Sequence, residues 1–354
     1  MPALIPQILS FGTATPDLYL TQEEVFEFYT RHDLMPEAQK PLYERLLLGG
    51  PIKGRFFALQ DPVEILNESP DSQIQRFSKQ ARKIASRACR RAMSDAGLSP
   101  GDIGGIVVNT CTGYLCPGLT SYLAGDLGLE SDIKAIDILG MGCGSAIPNL
   151  ECGCGMLFSS HGKPVLCASV EICSATHLVD DDPGLTVSNC IFGDGAAAVV
   201  LGNEPAGGDG LSLMDFETGL FPEYREALRY RNQHGHLRNT LSGRVPPIVA
   251  RCLEKVTGKL LTRNNLEIPD IQWWAVHAGG TQILDRVAGR FGLPADRLVA
   301  SRRVFEQYGN MSSPTVFFVL NDLMQRRRTG GPGLLLAFGA GFTAFAALAS
   351  GEKT

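Results

Sequence analysis

A layered α/β fold in two halves is what this 354-residue sequence predicts, and three observations carry the prediction. Hydrophobic residues make up 44% and charged residues 19% of the chain, less charge than the roughly 25% of an average soluble protein, so a large interior can be buried. From Gly104 onward, short β-rich apolar runs alternate with helical patterns, as in a sheet covered on both faces. A polar, glycine-rich stretch from Gly202 to Gly210 and an irregular region to about Arg244 separate a first series of such runs from a second. The halves, 1–220 and 221–354, are expected to meet near residue 220.

The first hundred residues read mainly helical. Thr21, followed three positions later by Glu24, is a capping-box signal for one helix. A second runs from about Asp71 to Ala96: Phe77, Ala81, Ile84, Ala85, Ala88, Ala92 and Met93 recur at helical spacing, and Arg76, Lys79, Arg82, Lys83, Arg87, Arg90 and Arg91 supply a basic face expected to be solvated. Strands are expected at Ile106–Val108, Ile133–Ile138, Pro164–Val170, Ala196–Leu201 and Trp273–His277. Helices are expected from near Ser145, from about Val249 to Leu261, from Gln282 to Phe291 and from about Ser313 to Gln325. The uncharged segment Gly333–Gly351 has the length of a membrane span, yet Gly339 and Gly341 divide it, and it reads as strand, glycine turn, strand.

A net charge of −5 excludes a global field for holding nucleic acid or an anionic membrane. Ten cysteines are too sparse for a disulfide scaffold, and the beginning of the chain lacks the basic and apolar regions of a signal peptide, so reduced thiols in the cytoplasm are expected. Cys152, Cys154 and His161 offer soft ligands without paired CxxC spacing, and neither a metal nor a cofactor is expected.

The chemistry concentrates at Leu139-Gly140-Met141-Gly142-Cys143-Gly144-Ser145-Ala146. A cysteine on a glycine-flanked turn from strand to helix meets the helix N-terminus, where dipole and free N–H groups favour thiolate over thiol. Cys143 is therefore a candidate nucleophile, the alternative being a small buried hydrophobe. His277 ends a strand, where an α/β sheet presents residues to a ligand crevice; the alternative is a structural imidazole. His32, His161, His177, His234 and His236 read as surface. Asn310, in Gly309-Asn310-Met311-Ser312-Ser313, is an amide donor in a loop that opens a helix, or simply its cap.

In this order, with Phe192-Gly193-Asp194-Gly195 after the cysteine and Phe338-Gly339-Ala340-Gly341 at the end, these motifs resemble the chalcone synthase-like type III polyketide synthases, bacterial type, from about Gly12 to the C-terminus. The resemblance implies a thiolase-like five-layer αβαβα fold, a homodimer and a Cys-His-Asn set of Cys143, His277 and Asn310. It implies an acyl-CoA starter loaded on Cys143, repeated decarboxylative Claisen condensation with malonyl-CoA, and cyclisation to a pyrone or phenolic product, with coenzyme A thioesters as substrates.

The resemblance makes Phe192 a gatekeeper and Cys111, Cys173, Thr176, Ser312, Gly339 and Gly341 cavity-lining residues. It has Cys116 reach across the dimer. Arg45, Lys53 and Arg55, with Gly279 and Gly280, are implied coenzyme A contacts, although two lysines of the family's phosphate grip are not reproduced. The resemblance places a polar residue near Asn239 where plant enzymes carry a second gatekeeper phenylalanine. That exchange, with the small lining residues, favours a fatty acyl starter giving alkylpyrones or alkylresorcinols, ahead of a small phenol built from malonyl units alone. Alternatives are a ketoacyl-acyl-carrier-protein synthase III-like enzyme, a 3-hydroxy-3-methylglutaryl-CoA synthase and a non-catalytic acyl-CoA binder.

Overall fold

A computed structural model describes residues 5–203 and 210–351; most of the glycine-rich connector noted above lies outside them. The elements run β1 (Gln7–Ala14), β2 (Leu18–Thr21), α1 (Gln22–Arg31), α2 (Lys40–Leu47), β3 (Gly54–Phe57), α3 (Pro70–Asp95), β4 (Gly105–Asn109), α4 (Leu119–Leu127), β5 (Lys134–Ile138), α5 (Ala146–Ser159), β6 (Val165–Glu171), α6 (Pro183–Ile191) and β7 (Gly195–Gly202). There follow β8 (Leu211–Leu220), β9 (Leu228–Gln233), β10 (His236–Leu241), α7 (Val245–Arg263), β11 (Trp273–Val276), α8 (Thr281–Phe291), α9 (Val299–Tyr308), α10 (Thr315–Gln325), β12 (Gly331–Gly339) and β13 (Thr343–Gly351).

Nine strands join in the order β11-β12-β13-β8-β1-β7-β6-β4-β5. The seam is the contact of β1 with β8, only Gln7 with Ser212 and Ile8 with Leu211, so two half-sheets hinge there. β8, placed in the first half by the sequence, pairs with β13 from Leu220 back to Ser212 and belongs with the second set of strands.

Strand alternation sets the layers. In the N-terminal half-sheet Ile106, Val108, Leu166, Ala198 and Val200 face α3 and α4, while Val107, Val165, Cys167, Val199 and Leu201 face the other way. Those inward residues share a core with Ile147 and Leu150 of α5, Phe317 and Leu320 of α10, and Leu335, Ala337 and Ala347 of the C-terminal half-sheet. The opposite face of that half-sheet, Trp274, Val276, Leu334, Leu336 and Ala346, packs on Leu253 and Leu260 of α7 and Leu284 of α8. The result is the five-layer αβαβα thiolase-like fold, with α5 and α10 as the central layer.

The N-terminal region departs from the helical reading. β1 lies mid-sheet beneath α3, and a Cβ on Gly12 would sit 2.0 Å from Ala88 O, so small and polar residues replace the apolar alternation that marks a strand. The region read as irregular contains β8 and the hairpin β9–β10, whose turn residues His234 and Gly235 have φ of 51° and 82°. The Thr21 capping box and the helix opening at Pro70 form as expected. Arg76 leaves the basic face: it is buried, with Nε and Nη2 donating to the Glu68 carboxylate at 2.7 and 2.6 Å. Gly333–Gly351 lies in β12, its turn and β13, and among the described residues no helix is long and apolar enough to cross a membrane.

Candidate active site

β5 ends at Ile138, and one short helical turn, Gly142–Gly144, carries Cys143 directly into α5. The turn requires its glycines: Gly142 has φ of 64°, a left-handed conformation, and a Cβ there would meet Ala340 N at 2.6 Å. The neighbouring backbone presses on the turn from β12, where a Cβ on Gly339 would lie 2.0 Å from Met141 O. Gly339 is thus spent on close approach to the elbow, whereas Gly341 lines the adjoining hollow.

The Cys143 sulfur is buried, 7% exposed, and accepts a hydrogen bond from Ser312 Oγ at 3.2 Å. The Cys111 thiol, 3.3 Å from that same hydroxyl, also donates to it. The Cys111 hydrogen bond holds the Cys143 thiol well below its ordinary pKa, helped by the nearby His277 imidazole and by Ser312, all against the penalty of burial. Cys111 is pushed the opposite way, by the same bond and by burial. The arrangement favours one thiolate and one thiol.

His277 follows β11, its backbone N–H bonded to Leu336 O at 2.8 Å, and is completely buried. Neither ring nitrogen has a hydrogen-bond partner of normal length and angle. A buried imidazole with both nitrogens free is poised for a group other than the surrounding protein. Phe338 stands edge-on to it at 5.1 Å, and a Cβ on Gly279 would come within 3.4 Å of Nε2, so the glycine keeps that approach open. Asn310 is held by its backbone to Ile191 and Gly193, next to Phe192; its Oδ1 accepts from Ser312 N at 2.8 Å and its Nδ2 donates weakly to Gly279 O at 3.4 Å. Cys143, His277 and Asn310, distant in sequence, are thereby joined through Ser312 and Gly279.

Three hollows approach this group. One of about 690 Å³ is lined by Cys111, Thr112, Gly142, Tyr230, Ala340 and Gly341. A second, about 60 Å³, is bordered by Phe192, Cys173, Thr176 and Asn239. The third, about 360 Å³, reaches Gly279 and Gly280 from Arg45. The remaining basic residues fall elsewhere. Lys53 is paired with Glu306 at 2.6 Å. Arg55 is 1% exposed, and its guanidinium donates to Gln22 Oε1, Asn189 O and Phe192 O at 2.7–2.8 Å, so it braces the gate region and offers no surface charge to a phosphate. Cys116 is exposed and lines none of these three hollows. Asn239 is buried and donates to Ser188 Oγ at 2.7 Å. Cys152 and Cys154, two positions apart on α5, point to different sides of the helix.

Sequence reasoning missed several residues here. Glu171, fully buried at the end of β6, accepts from Cys111 N, Thr112 N, Thr112 Oγ1 and Ser313 Oγ at 2.6–3.1 Å, and burial raises its pKa despite these bonds. An acidic residue closing a fully buried, largely apolar strand was the available signal. Tyr230 reaches the 690 Å³ hollow from β9, in a region without a clear periodicity. His177, read as surface, bonds Tyr29 Oη at 2.5 Å, and burial lowers its pKa to about 4.

A family model described as FAE1/type III polyketide synthase-like protein matches residues 20–211, and one described as chalcone and stilbene synthases, C-terminal domain, matches residues 217–350. The chain is 29% identical to the 3,5-dihydroxyphenylacetyl-CoA synthase of Streptomyces toyocaensis, over 97% of this chain and 89% of that protein. It is 31% identical to the 1,3,6,8-tetrahydroxynaphthalene synthase of Streptomyces peucetius subsp. caesius, over 95% of this chain and 91% of that protein. The solved structure of 1,3,6,8-tetrahydroxynaphthalene synthase from Streptomyces coelicolor A3(2), described as a bacterial type III polyketide synthase, matches with a TM-score of 0.89 at 26% identity, covering 98% of this chain and 100% of that one.

Proposed function

The chain belongs to the chalcone and stilbene synthase family of type III polyketide synthases, decarboxylating, Claisen-condensing acyltransferases that use acyl-CoA and malonyl-CoA, and from that premise we propose that Cys143, His277 and Asn310 carry its chemistry. One observation supports the assignment above the others: a completely buried imidazole whose nitrogens have no normal hydrogen-bond partner in the protein, near a sulfur whose pKa is drawn well below the ordinary thiol range.

Cys143 thiolate attacks the starter thioester carbonyl; the tetrahedral oxyanion collapses, expelling coenzyme A thiolate and leaving an acyl-enzyme. Malonyl-CoA then enters by the hollow shared by Arg45, Gly279 and Gly280. Loss of carbon dioxide moves the carboxylate's bonding electrons onto the thioester oxygen, and His277 and Asn310 donate hydrogen bonds to that enolate, each worth about 3 kcal/mol in a dry site. The enolate carbon attacks the Cys143 thioester, releases the sulfur and yields a chain longer by two carbons on coenzyme A. Phe192, beside Asn310, screens this step from water. Reloading the chain on Cys143 repeats the cycle.

The lining favours a short, oxygenated chain closing to a phenol or pyrone over a long alkyl chain. Cys111, Thr112 and Tyr230 place hydrogen-bonding groups in the large hollow, and the space beside Asn239, about 60 Å³, falls far below the roughly 300–1,000 Å³ of a ligand cleft. We read the chain further as a cytoplasmic homodimer, its subunits meeting at the exposed apolar Tyr114, Ile136, Leu139 and Met141, with Cys116 on that side.

Cys143→Ala is expected to abolish acyl loading, seen by mass spectrometry of the intact protein, and product formation; full turnover in this variant would overturn the nucleophile assignment. His277→Ala and Asn310→Ala are each expected to slow release of carbon dioxide from malonyl-CoA by about 100-fold with an unchanged circular dichroism spectrum. Product analysis with malonyl-CoA and short, aromatic and long acyl-CoAs tests the starter class, and exclusive use of long chains would reject the short-chain reading.

A further inference from the structure

Asn109, the last residue of β4, is completely buried beneath the site, and no step above uses it. Its carboxamide is saturated: Nδ2 donates to Ser145 Oγ at 2.7 Å and Ser313 Oγ at 2.8 Å, while Oδ1 accepts from Asn149 Nδ2 at 2.8 Å and Ser169 Oγ at 2.6 Å. Two donors and two lone pairs are all that an amide has. The proton directions then follow outward. Ser145 Oγ, having accepted, donates to Gly142 O at 2.8 Å, the residue before Cys143. Ser313 Oγ donates to Glu171 Oε1 at 2.6 Å, and the same carboxylate oxygen lies 3.3 Å from Ser312 Oγ, the hydroxyl on the Cys143 sulfur.

One amide thus ties the elbow of residues 142–145 to the loop of residues 310–313, which are brought together only by the fold. The loop needs an external hold, because Ser312 has φ of 59°, an unfavourable left-handed conformation for a residue with a Cβ. Asn149 and Ser169 anchor the amide from α5 and β6, the rigid elements on either side. We propose that Asn109 is a positioning residue for the condensation, a strut whose two N–H groups keep the Cys143 elbow and the Asn310 loop at one spacing. Aspartate in its place has the shape without the donors, and leucine leaves four polar partners unpaired.

This inference rests on the roles given to Cys143 and Asn310. Ser145→Ala cuts one arm of the strut and Ser313→Ala the other. Each single variant, and Asn109→Ala, is expected to lose about tenfold in kcat for malonyl-CoA condensation with KM within about twofold of the parent. The double serine variant is expected to be no slower than the slower single, because either cut releases the same spacing. Rates are taken per reactive Cys143, counted by iodoacetamide labelling, with folding checked by circular dichroism and thermal unfolding. Serine effects that multiply in the double variant, or parent-like kcat per labelled Cys143, would overturn the strut, and so would a failure of every variant to fold, which makes the network a folding element only. Turnover by Cys143→Ala strikes at the nucleophile assignment instead, which separates the two failures.

Discussion

At the scale of single residues, the site is organised around a proton imbalance between two thiols. Cys111 and Cys143 share the Ser312 hydroxyl, and one bears the proton while the other bears the charge. Because the Cys111 hydrogen bond is the leading cause of the low Cys143 pKa, Cys111→Ala removes a donor that alanine cannot replace, and the Cys143 pKa moves up. Less thiolate is then present at neutral pH. The pH profile of Cys143 alkylation by iodoacetamide should therefore shift to higher pH. A profile that does not move would assign the thiolate to His277 and Ser312 alone. The three candidate residues, Cys143, His277 and Asn310, stand out in the sequence because each sits in a short glycine-marked motif at the end of an element. Glu171 and Asn109 carry no such mark: their partners come from four different segments, so their function is invisible along the chain.

Elements supply the geometry that these side chains lack on their own. The elbow between β5 and α5 stays tight because β12 presents Gly339 to its backbone, closer than any side chain allows. Gly339→Ala places a Cβ 2.0 Å from Met141 O, and backbone on both sides leaves nothing flexible to give way. Overpacking of this kind costs about 1–3 kcal/mol. A lower thermal midpoint is expected together with a loss of kcat, since relief requires the elbow itself to move; parent-like kcat would show that β12 yields instead. The apolar strands and amphipathic helices after Gly104 could be read from periodicity. β1 could not, because it lies beneath α3 with Gly12 against the helix backbone, and neither could the β9–β10 hairpin, whose His234-Gly235 turn lacks the Asn-Gly signature.

For the whole molecule, five layers leave polar groups enclosed between elements that are remote in sequence, and stability inherits their titration. His177 joins Tyr29 of α1 to Gln73 of α3, whose Nε2 donates to the His177 carbonyl at 3.0 Å. Burial, with the nearby Arg76 and Arg55, keeps its imidazole neutral down to about pH 4 against an ordinary 6.5. The unfolded chain therefore binds this proton first as pH falls. Stability is intact above the ordinary value and declines through the window from 6.5 to about 4. The thermal midpoint should drop between about pH 7 and about pH 4.5, and His177→Gln should flatten that drop even if its own midpoint is lower. An unaltered slope in the variant would place the acid sensitivity on other groups.

The amino-acid order alone determined the fold class, the helices and strands with a clean period, and the three motifs of the candidate site, since each depends on neighbours a few positions apart. Tertiary structure alone decided which charges are free. Arg45 faces a hollow; Arg55 and Arg76 are consumed inside; Lys53 is paired with Glu306. It also decided that Gly339 serves backbone contact and that Asn109 stands between elbow and loop. The physical reason is the same in each case: burial and hydrogen-bond saturation are properties of a position in space, and the partners that settle them arrive from segments whose meeting no local pattern encodes.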